Sequence, residues 1–446
     1  MDDGIQALPV ENYIDRLPDD VLQILFLTAC GPFFSAFRAF GEARRVIYMV
    51  CSRWFHLALQ SRLLWSSLRV TKSQSLANLR YLLRRSGPGP LRLGLHFNEA
   101  PKRRPGPKHN PPLPAIMAML APHFPRLISL VLYVGDTDVI PMLKSAVNGI
   151  ALPNLRSLSI RQYSFFAANS TTLYIPPATF GSVPASLHSL VLSIIPFDCA
   201  TLPVLPNMCQ LVFRDMQRSN FPVWSDFILL CRATPNVREV SLNRVGFQLV
   251  PSTLAPLDVW PQLVKLHVAL GGNPSVARFL AHGDFVSIDV LYISVISDVD
   301  VTLLLQASSL LAKVSRLFMD GMRVAQITLQ AVFDTTDGLE IFHTPTIGRA
   351  ALLALQSSPS TARKLKAVGV AMHDPSEILA FAEGWVALSD VRRRGMTLWT
   401  PRRTSPLSPS FLRDPAMEIL KNTLHIKFRT VYPIAASHFD DVALPA

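Results

Sequence analysis

A six-residue unit, apolar-x-x-apolar-x-apolar and usually preceded by proline, recurs along most of this sequence. It reads Leu127-Leu130-Leu132, Leu155-Leu158-Ile160, Leu187-Leu190-Leu192, Met208-Leu211-Phe213 and Val237-Val240-Leu242. It continues as Leu263-Leu266-Val268, Ile288-Leu291-Ile293 and Val314-Leu317-Met319, keeps two anchors at Leu339 and Phe342, and returns complete at Leu365-Val368-Val370. The first residues of successive copies stand 28, 32, 21, 29, 26, 25, 26, 25 and 26 residues apart. Alternation at the end of each unit predicts a short strand with one buried face. The interval leaves room for one return segment, such as the amphipathic stretches Trp224 to Arg232 and Val276 to His282. A single strand with its return cannot bury its own apolar face, whereas stacked copies share a continuous core. The predicted class is therefore α/β. At 446 residues the chain exceeds what one compact core usually supports, and an elongated stack accommodates that length.

This spacing resembles that of leucine-rich repeats, although the Asn that such repeats often carry after the strand is mostly missing. The resemblance implies a curved solenoid with parallel strands on its concave face. Residues between the buried positions of each strand then point to solvent. That rule selects Tyr133, Arg161, Ser193, Arg214 and Asn243, followed by His267, Tyr292, Phe318 and Asp320, as candidates for recognition of a target. Aromatic and Arg side chains among them match the composition of interface hot spots.

Ahead of the repeats, Leu17-Pro18-Asp19-Asp20 has the form of a helix start, with proline at the opening turn and acids at the positive dipole end. A helix is predicted from about Pro18 to Leu27, apolar on more than one face through Val21, Leu22, Ile24, Leu25 and Phe26. Val46, Val50, Trp54 and Ala58 recur at helical spacing and predict a second amphipathic helix. Trp65, in Leu63-Leu64-Trp65, reads as a core anchor. A helix from Ser73 to Arg85 stopped by Gly87, then a strand alternating at Leu91, Leu93, Leu95 and Phe97, lead to a basic Pro-rich loop at Lys102 to Pro112.

The order Leu-Pro-x-x-Val-Leu, then Val50-Cys51-x-x-Trp54, then Leu64-Trp65-x-x-Leu68 resembles an F-box. The link Gly31 to Gly41 is longer than usual and rich in Phe. Together with Arg62-Leu63-Leu64-Trp65-Ser66-Ser67-Leu68 it is similar to the large mushroom-type (basidiomycete) fungal group of F-box proteins. The resemblance implies a small all-helical module that docks on a Skp-type adaptor, and through it on a cullin scaffold. Carried over residue by residue, it makes Leu17, Pro18, Val21, Ile24, Leu25, Val50, Cys51 and Trp54 the adaptor-binding set. The implied role is substrate recognition within an SCF-type ubiquitin ligase. The alternative is a repeat-based interaction scaffold outside any ligase. The expected organisation is an F-box over 1–70, a connecting helix, strand and loop over 71–112, repeats over 113–400, and a cap or tail over 401–446.

Composition narrows the alternatives. Hydrophobic residues at 49% and charged residues at 17% exclude a disordered chain. The net charge of +12 is spread thinly, with clusters only at Lys102-Arg103-Arg104, Arg392-Arg393-Arg394 and Arg402-Arg403, which disfavours nucleic acid as the partner. No apolar stretch after Met1-Asp2-Asp3 resembles a leader, and prolines interrupt the uncharged segment Gln162 to Phe197. A cytoplasmic or nuclear protein with no membrane span is therefore expected. Five cysteines without a C-x-x-C pair predict free thiols rather than a disulfide framework or zinc site. The sequon at Asn169 is expected to stay unmodified. Phosphate-loop, zincin and serine-hydrolase motifs are missing, so no enzyme activity, catalytic residue, metal or cofactor is predicted. Asp298 with Asp300, Gly271-Gly272, and His438 with Asp440 and Asp441 lack the companions that chemistry would need.

Overall fold

The computed structural model describes residues 13–30, 37–71, 74–97, 113–134, 152–162, 185–193, 204–216, 221–250, 257–269, 274–294, 298–306, 308–320, 324–344, 348–370, 397–400 and 427–430. Twelve strands form one parallel sheet, and their order across the sheet is their order along the chain. They are β1 (Ser67–Thr71), β2 (Leu91–His96), β3 (Leu127–Val134), β4 (Ser157–Gln162), β5 (Ser189–Ser193) and β6 (Gln210–Arg214). β7 (Glu239–Asn243), β8 (Lys265–Ala269), β9 (Val290–Ser294), β10 (Arg316–Asp320), β11 (Ile341–Thr344) and β12 (Ala367–Val370) complete it. The molecule is thus an α/β stack in which every repeat unit contributes one strand.

The apolar anchors explain the register. The second anchor of each copy pairs with the same anchor of the next, in an unbroken line from Leu130 through Leu158, Leu190, Leu211 and Val240 to Leu266, Leu291, Leu317, Phe342 and Val368. These residues belong to one buried cluster with the inner faces of the return helices. A slip of one residue would turn the whole line outward, so burial fixes the pairing. Between Trp224–Ala233 and Pro274–His282 the core becomes aromatic. Phe279, fully buried, meets Trp224, Phe227, Phe247, Trp260 and Phe285 at centroid separations of 5.4 to 6.4 Å. The buried Trp260 indole donates to Thr234 Oγ1 at 3.0 Å.

Successive copies are also stitched at their turns. Asn154, Asn207 and Asn236 each stand one residue before the first anchor and donate through Nδ2 to the carbonyls of Pro125, Ala185 and Pro206 in the preceding copy, at 3.1, 2.8 and 2.7 Å. Ser287 Oγ and Lys364 Nζ do the same from equivalent positions, to Pro261 and Asp337. Polar bonding between copies therefore sits ahead of the strand in these units.

The stack begins earlier than the repeat pattern indicates. β1 pairs with β2, and Leu68 and Val70 are its buried positions, so the boundary expected at residue 70 falls inside a strand. The helices before β1 are α1 (Asp19–Ala29), α2 (Phe37–Val50) and α3 (Ser52–Gln60), followed by the single turn Arg62–Trp65. α2 and the Arg62–Trp65 turn pack against β1. Leu22, Phe26, Ile47, Leu57 and Trp65 join the same core cluster that ends at Val368. At the other end, Thr397–Thr400 adjoins β12 and pairs in parallel with Lys427–Thr430, which lies within the segment expected as a cap or tail.

One predicted element is corrected. The periodicity from Val46 to Ala58 continues without interruption in sequence, but the helix breaks at Cys51, whose extended backbone (φ −160°, ψ 169°) ends α2 and starts α3. Val46 and Val50 are exposed while Trp54 is half-buried and Ala58 buried, so the four residues do not share a face. Of the link, residues 31–36 lie outside the described residues, and Phe37 and Phe40 are described only as backbone within α2.

Candidate functional site

Two surfaces carry the residues selected by sequence. The first is the outer side of the amino-terminal helices. α1 starts at Pro18, whose backbone carbonyl accepts from Leu22 N at 3.0 Å, and buries only Leu22 and Phe26. Phe26 packs on Trp54 of α3 at 4.8 Å between ring centroids. Arg53 closes the arrangement, donating to the Leu17 carbonyl at 2.6 Å and to Asp19 Oδ1 at 2.5 Å, which ties the first turn of α1 to that of α3. With that face turned inward, Ile24 is 62% exposed, Leu25 45% and Val50 52%. Of the eight residues the sequence selected here, Pro18, Ile24, Leu25, Val50 and Cys51 are exposed, and Leu17, Val21 and Trp54 are half-buried. Val46, Met49, Phe55 and Leu63 are exposed as well and were not in that selection.

The second surface is the face of the sheet turned away from the helices. Its central row, one residue per strand, reads Arg69, Gly94, Val131, Ser159, Val191, Val212 and Ser241 over β1 to β7, then His267, Tyr292, Phe318, His343 and Gly369 over β8 to β12. After Arg69, small and medium side chains give way to four consecutive rings. Tyr292 and Phe318 stack at 4.2 Å with planes 15° apart. His267 meets Tyr292 at 5.9 Å, and Phe318 meets His343 at 5.6 Å. A second group lies one row over on β2 to β4, where His96 stacks on Tyr133 at 4.2 Å and the Arg161 guanidinium sits 5.6 Å from the Tyr133 ring.

Not every selected residue points freely to solvent. His267 is only 5% exposed and Tyr133 8%. His267 lies between Ser241 Oγ and Ser294 Oγ, each 3.4 Å from a ring nitrogen. Arg161, Ser193, Arg214, Asn243, Tyr292 and Phe318 are half-buried, and the side chain of Asp320 lies outside the described residues. His343 completes the row of rings and was missed, since its copy has Thr344 where the third apolar anchor should stand.

Electrostatics on this face follow from burial. Burial, aided by Arg214, pushes His267 down to about 4, and burial does the same for His343. His96 is pushed down to about 4 by burial, with Arg69 and Arg161 adding to the shift. The Tyr292 phenol is raised by burial and by Glu239, with Arg316 opposing. Lys265 pairs with Glu239 at 2.6 Å, Arg316 with Asp289 at 3.6 Å and Lys366 with Glu340 at 2.6 Å along the neighbouring row.

Among the described residues no group of three or more His, Cys, Asp or Glu could hold a metal ion. Cys30, Cys51, Cys209 and Cys231 are free thiols, and Cys199 lies outside the described residues. Asp298 Oδ1 accepts from Ala325 N at 2.8 Å, a bond that fixes the start of the helix Gln326–Thr335. Gly271, Gly272, His438, Asn169, the three basic clusters and most of Gln162 to Phe197 lie outside the described residues. No helix among the described residues is long and apolar enough to cross a membrane. Compared with known protein families and with curated proteins, the sequence matches none.

Proposed function

We propose that the protein is a substrate receptor of an SCF-type cullin–RING ubiquitin ligase. In this reading the amino-terminal helices are an F-box that docks on a Skp-type adaptor, and the strand face of a curved leucine-rich-repeat stack holds a target protein. One observation carries the proposal. Among the described residues sixteen large hydrophobic side chains are exposed, and eight of them lie between Ile14 and Leu63. A helical module that already buries one face in the main core, yet keeps so many apolar side chains in water, has the surface of a protein interface. Ile24, Leu25 and Val50 are among these exposed residues, and the F-box resemblance assigns all three to the adaptor.

The contribution of such a protein is positional. Holding a target beside a charged ubiquitin carrier replaces a bimolecular encounter with one at high effective concentration. No catalytic group is required of the receptor itself.

Co-purification with a Skp-type adaptor tests the proposal. Wild-type protein is expected to capture the adaptor, and Ile24→Asp with Leu25→Asp to lose capture by at least about 100-fold while remaining folded, because charges at an apolar contact are desolvated without partners. Equal capture by the double variant would overturn the assigned contact. Absence of the adaptor alongside another stable partner would favour a scaffold outside any ligase.

A further inference from the structure

The apolar surface of the amino-terminal helices is assembled from pieces far apart in the chain. Leu17 and Pro18 precede α1, Ile24 and Leu25 lie in its second turn, and Val50 with Cys51 marks the break between α2 and α3. A single partner meets all of them only if they keep one fixed arrangement. In α1 the buried anchors are Leu22 and Phe26, both past its first turn. Leu17 is half-buried, Pro18, Asp19 and Asp20 are exposed, and Pro18 at the cap position has no side chain able to accept a hydrogen bond from the helix.

Arg53 supplies a constraint on that first turn. Its Nη2 donates to the Leu17 carbonyl at 2.6 Å and to Asp19 Oδ1 at 2.5 Å, and its Nε donates to the same carboxylate oxygen at 3.1 Å. One planar guanidinium thus grips the backbone ahead of the helix and a side chain inside it, across 34 residues of sequence between Asp19 and Arg53. A Lys ammonium, a point charge on a flexible stem, does not reproduce that fork. Arg53 is the second residue of α3, which starts directly after the extended Cys51, so Cys51 is two residues from the side chain that holds Leu17. Trp54, next along α3, meets Phe26 at 4.8 Å and continues the contact into the middle of α1.

We propose that Arg53 is the positioning residue of this surface: it locks Leu17 and the first turn of α1 onto the start of α3, so that the apolar side chains assigned to the adaptor meet it as one pre-formed patch. The inference rests on the proposed docking of these helices on an adaptor, and it names a residue outside the apolar set on which the docking geometry depends. The ion pair is solvated, with the Arg53 and Asp19 side chains 36% and 59% exposed, so its effect lies in placement and not in overall stability. A patch that is assembled only part of the time binds with an affinity reduced by that fraction.

Hydrogen exchange on the free protein and affinity for a Skp-type adaptor, measured on the full chain, test this. In Arg53→Ala the amides of Leu22, Gln23 and Ile24, the first to be hydrogen-bonded in α1, are expected to exchange about tenfold faster, while those of β3 and β9 keep their wild-type rates, the mark of local and not global opening. Adaptor affinity should fall by a similar factor, about tenfold, in Arg53→Ala and in Arg53→Lys, which keeps the charge but not the fork. Ile24→Ala should cost about threefold less affinity in the Arg53→Ala background than in wild type, because a displaced α1 no longer delivers that side chain. Gln60→Ala, an exposed change at the far end of α3, should leave both readings unaltered.

Unchanged exchange at Leu22 to Ile24 would overturn the proposal, even with weakened binding, since a residue that only touched the adaptor would leave the free protein as it was. Faster exchange with undiminished adaptor affinity would overturn it as well. Wild-type protein that captures no adaptor removes the ligase reading instead, and exchange at Leu22 to Ile24 then decides by itself whether Arg53 holds the patch.

Discussion

Burial holds His267 and His343 neutral across the physiological range, and this has a measurable consequence for stability. Both are pushed down to about 4 from an ordinary value near 6.5. As pH falls below 6.5 the unfolded chain takes up protons that the folded chain refuses, so the stabilisation from these groups is complete above 6.5 and is lost on the way down to 4. For His267, the more buried of the pair, the loss is on the order of 2 kcal/mol. Thermal midpoints measured from pH 7.5 to 4.5 should fall with acidification, and His267→Asn should fall less steeply than wild type. Equal slopes would mean that His267 is accessible to protonation in the fold. Of the four rings, His267, Tyr292 and Phe318 were legible as strand positions between buried anchors. His343 was not, because the pattern that locates such positions relies on apolar anchors and the third anchor of its copy is the buried hydroxyl residue Thr344.

At the scale of elements, the strands could be read from sequence because one chemical requirement, burial of the anchors, recurs in every copy. What holds the copies in register through polar groups could not be read as easily. The sequence repeats Pro-Asn before an anchor at Pro153-Asn154, Pro206-Asn207 and Pro235-Asn236, yet only the structure reveals that each amide donates to the turn of the preceding copy. An exposed bond of this kind contributes about 0.5–1.5 kcal/mol. Asn154→Ala and Asn236→Ala are each expected to lower stability by that amount in chemical denaturation, and the pair to add, because the two bonds share no partner and lie in separate parts of the stack. No change in the double variant would leave these contacts energetically silent. The break at Cys51 was hidden for a related reason. Helical periodicity counts residues and does not register a single extended residue, so Val46 and Val50 were assigned to the face of Trp54 and Ala58.

At the scale of the whole molecule, the amino-terminal helices and the sheet are not separate bodies. One buried cluster runs from Leu22 to Val368, and α2 with the Arg62–Trp65 turn covers the first strand. A boundary at residue 70 was legible only as the end of a motif, since the last residues of that motif, Ser67 and Leu68, are also the first of the sheet. Removing residues 1–66 would therefore uncover the edge of β1 together with its buried positions. The truncated chain is expected to associate in size-exclusion chromatography where the full chain does not. A monodisperse truncated chain of unchanged thermal midpoint would show that the helices are dispensable to the sheet. For the same reason, loss of adaptor binding is better tested by point changes on α1 than by deletion.

The uninterrupted core also makes the molecule a ruler. From β1 to β9 there are eight strand-to-strand steps, about 40 Å along the sheet. Paired strands cover this distance without a break, so an object resting on Tyr292 has a fixed bearing from Ile24, whereas a flexible tether of equal reach would spread it through a wide cloud of positions. Inserting or deleting one whole repeat between β4 and β7 would move that object by one step, about 5 Å, and rotate it by the twist between neighbouring strands. Such a change would alter which part of a bound protein faces outward without touching either surface.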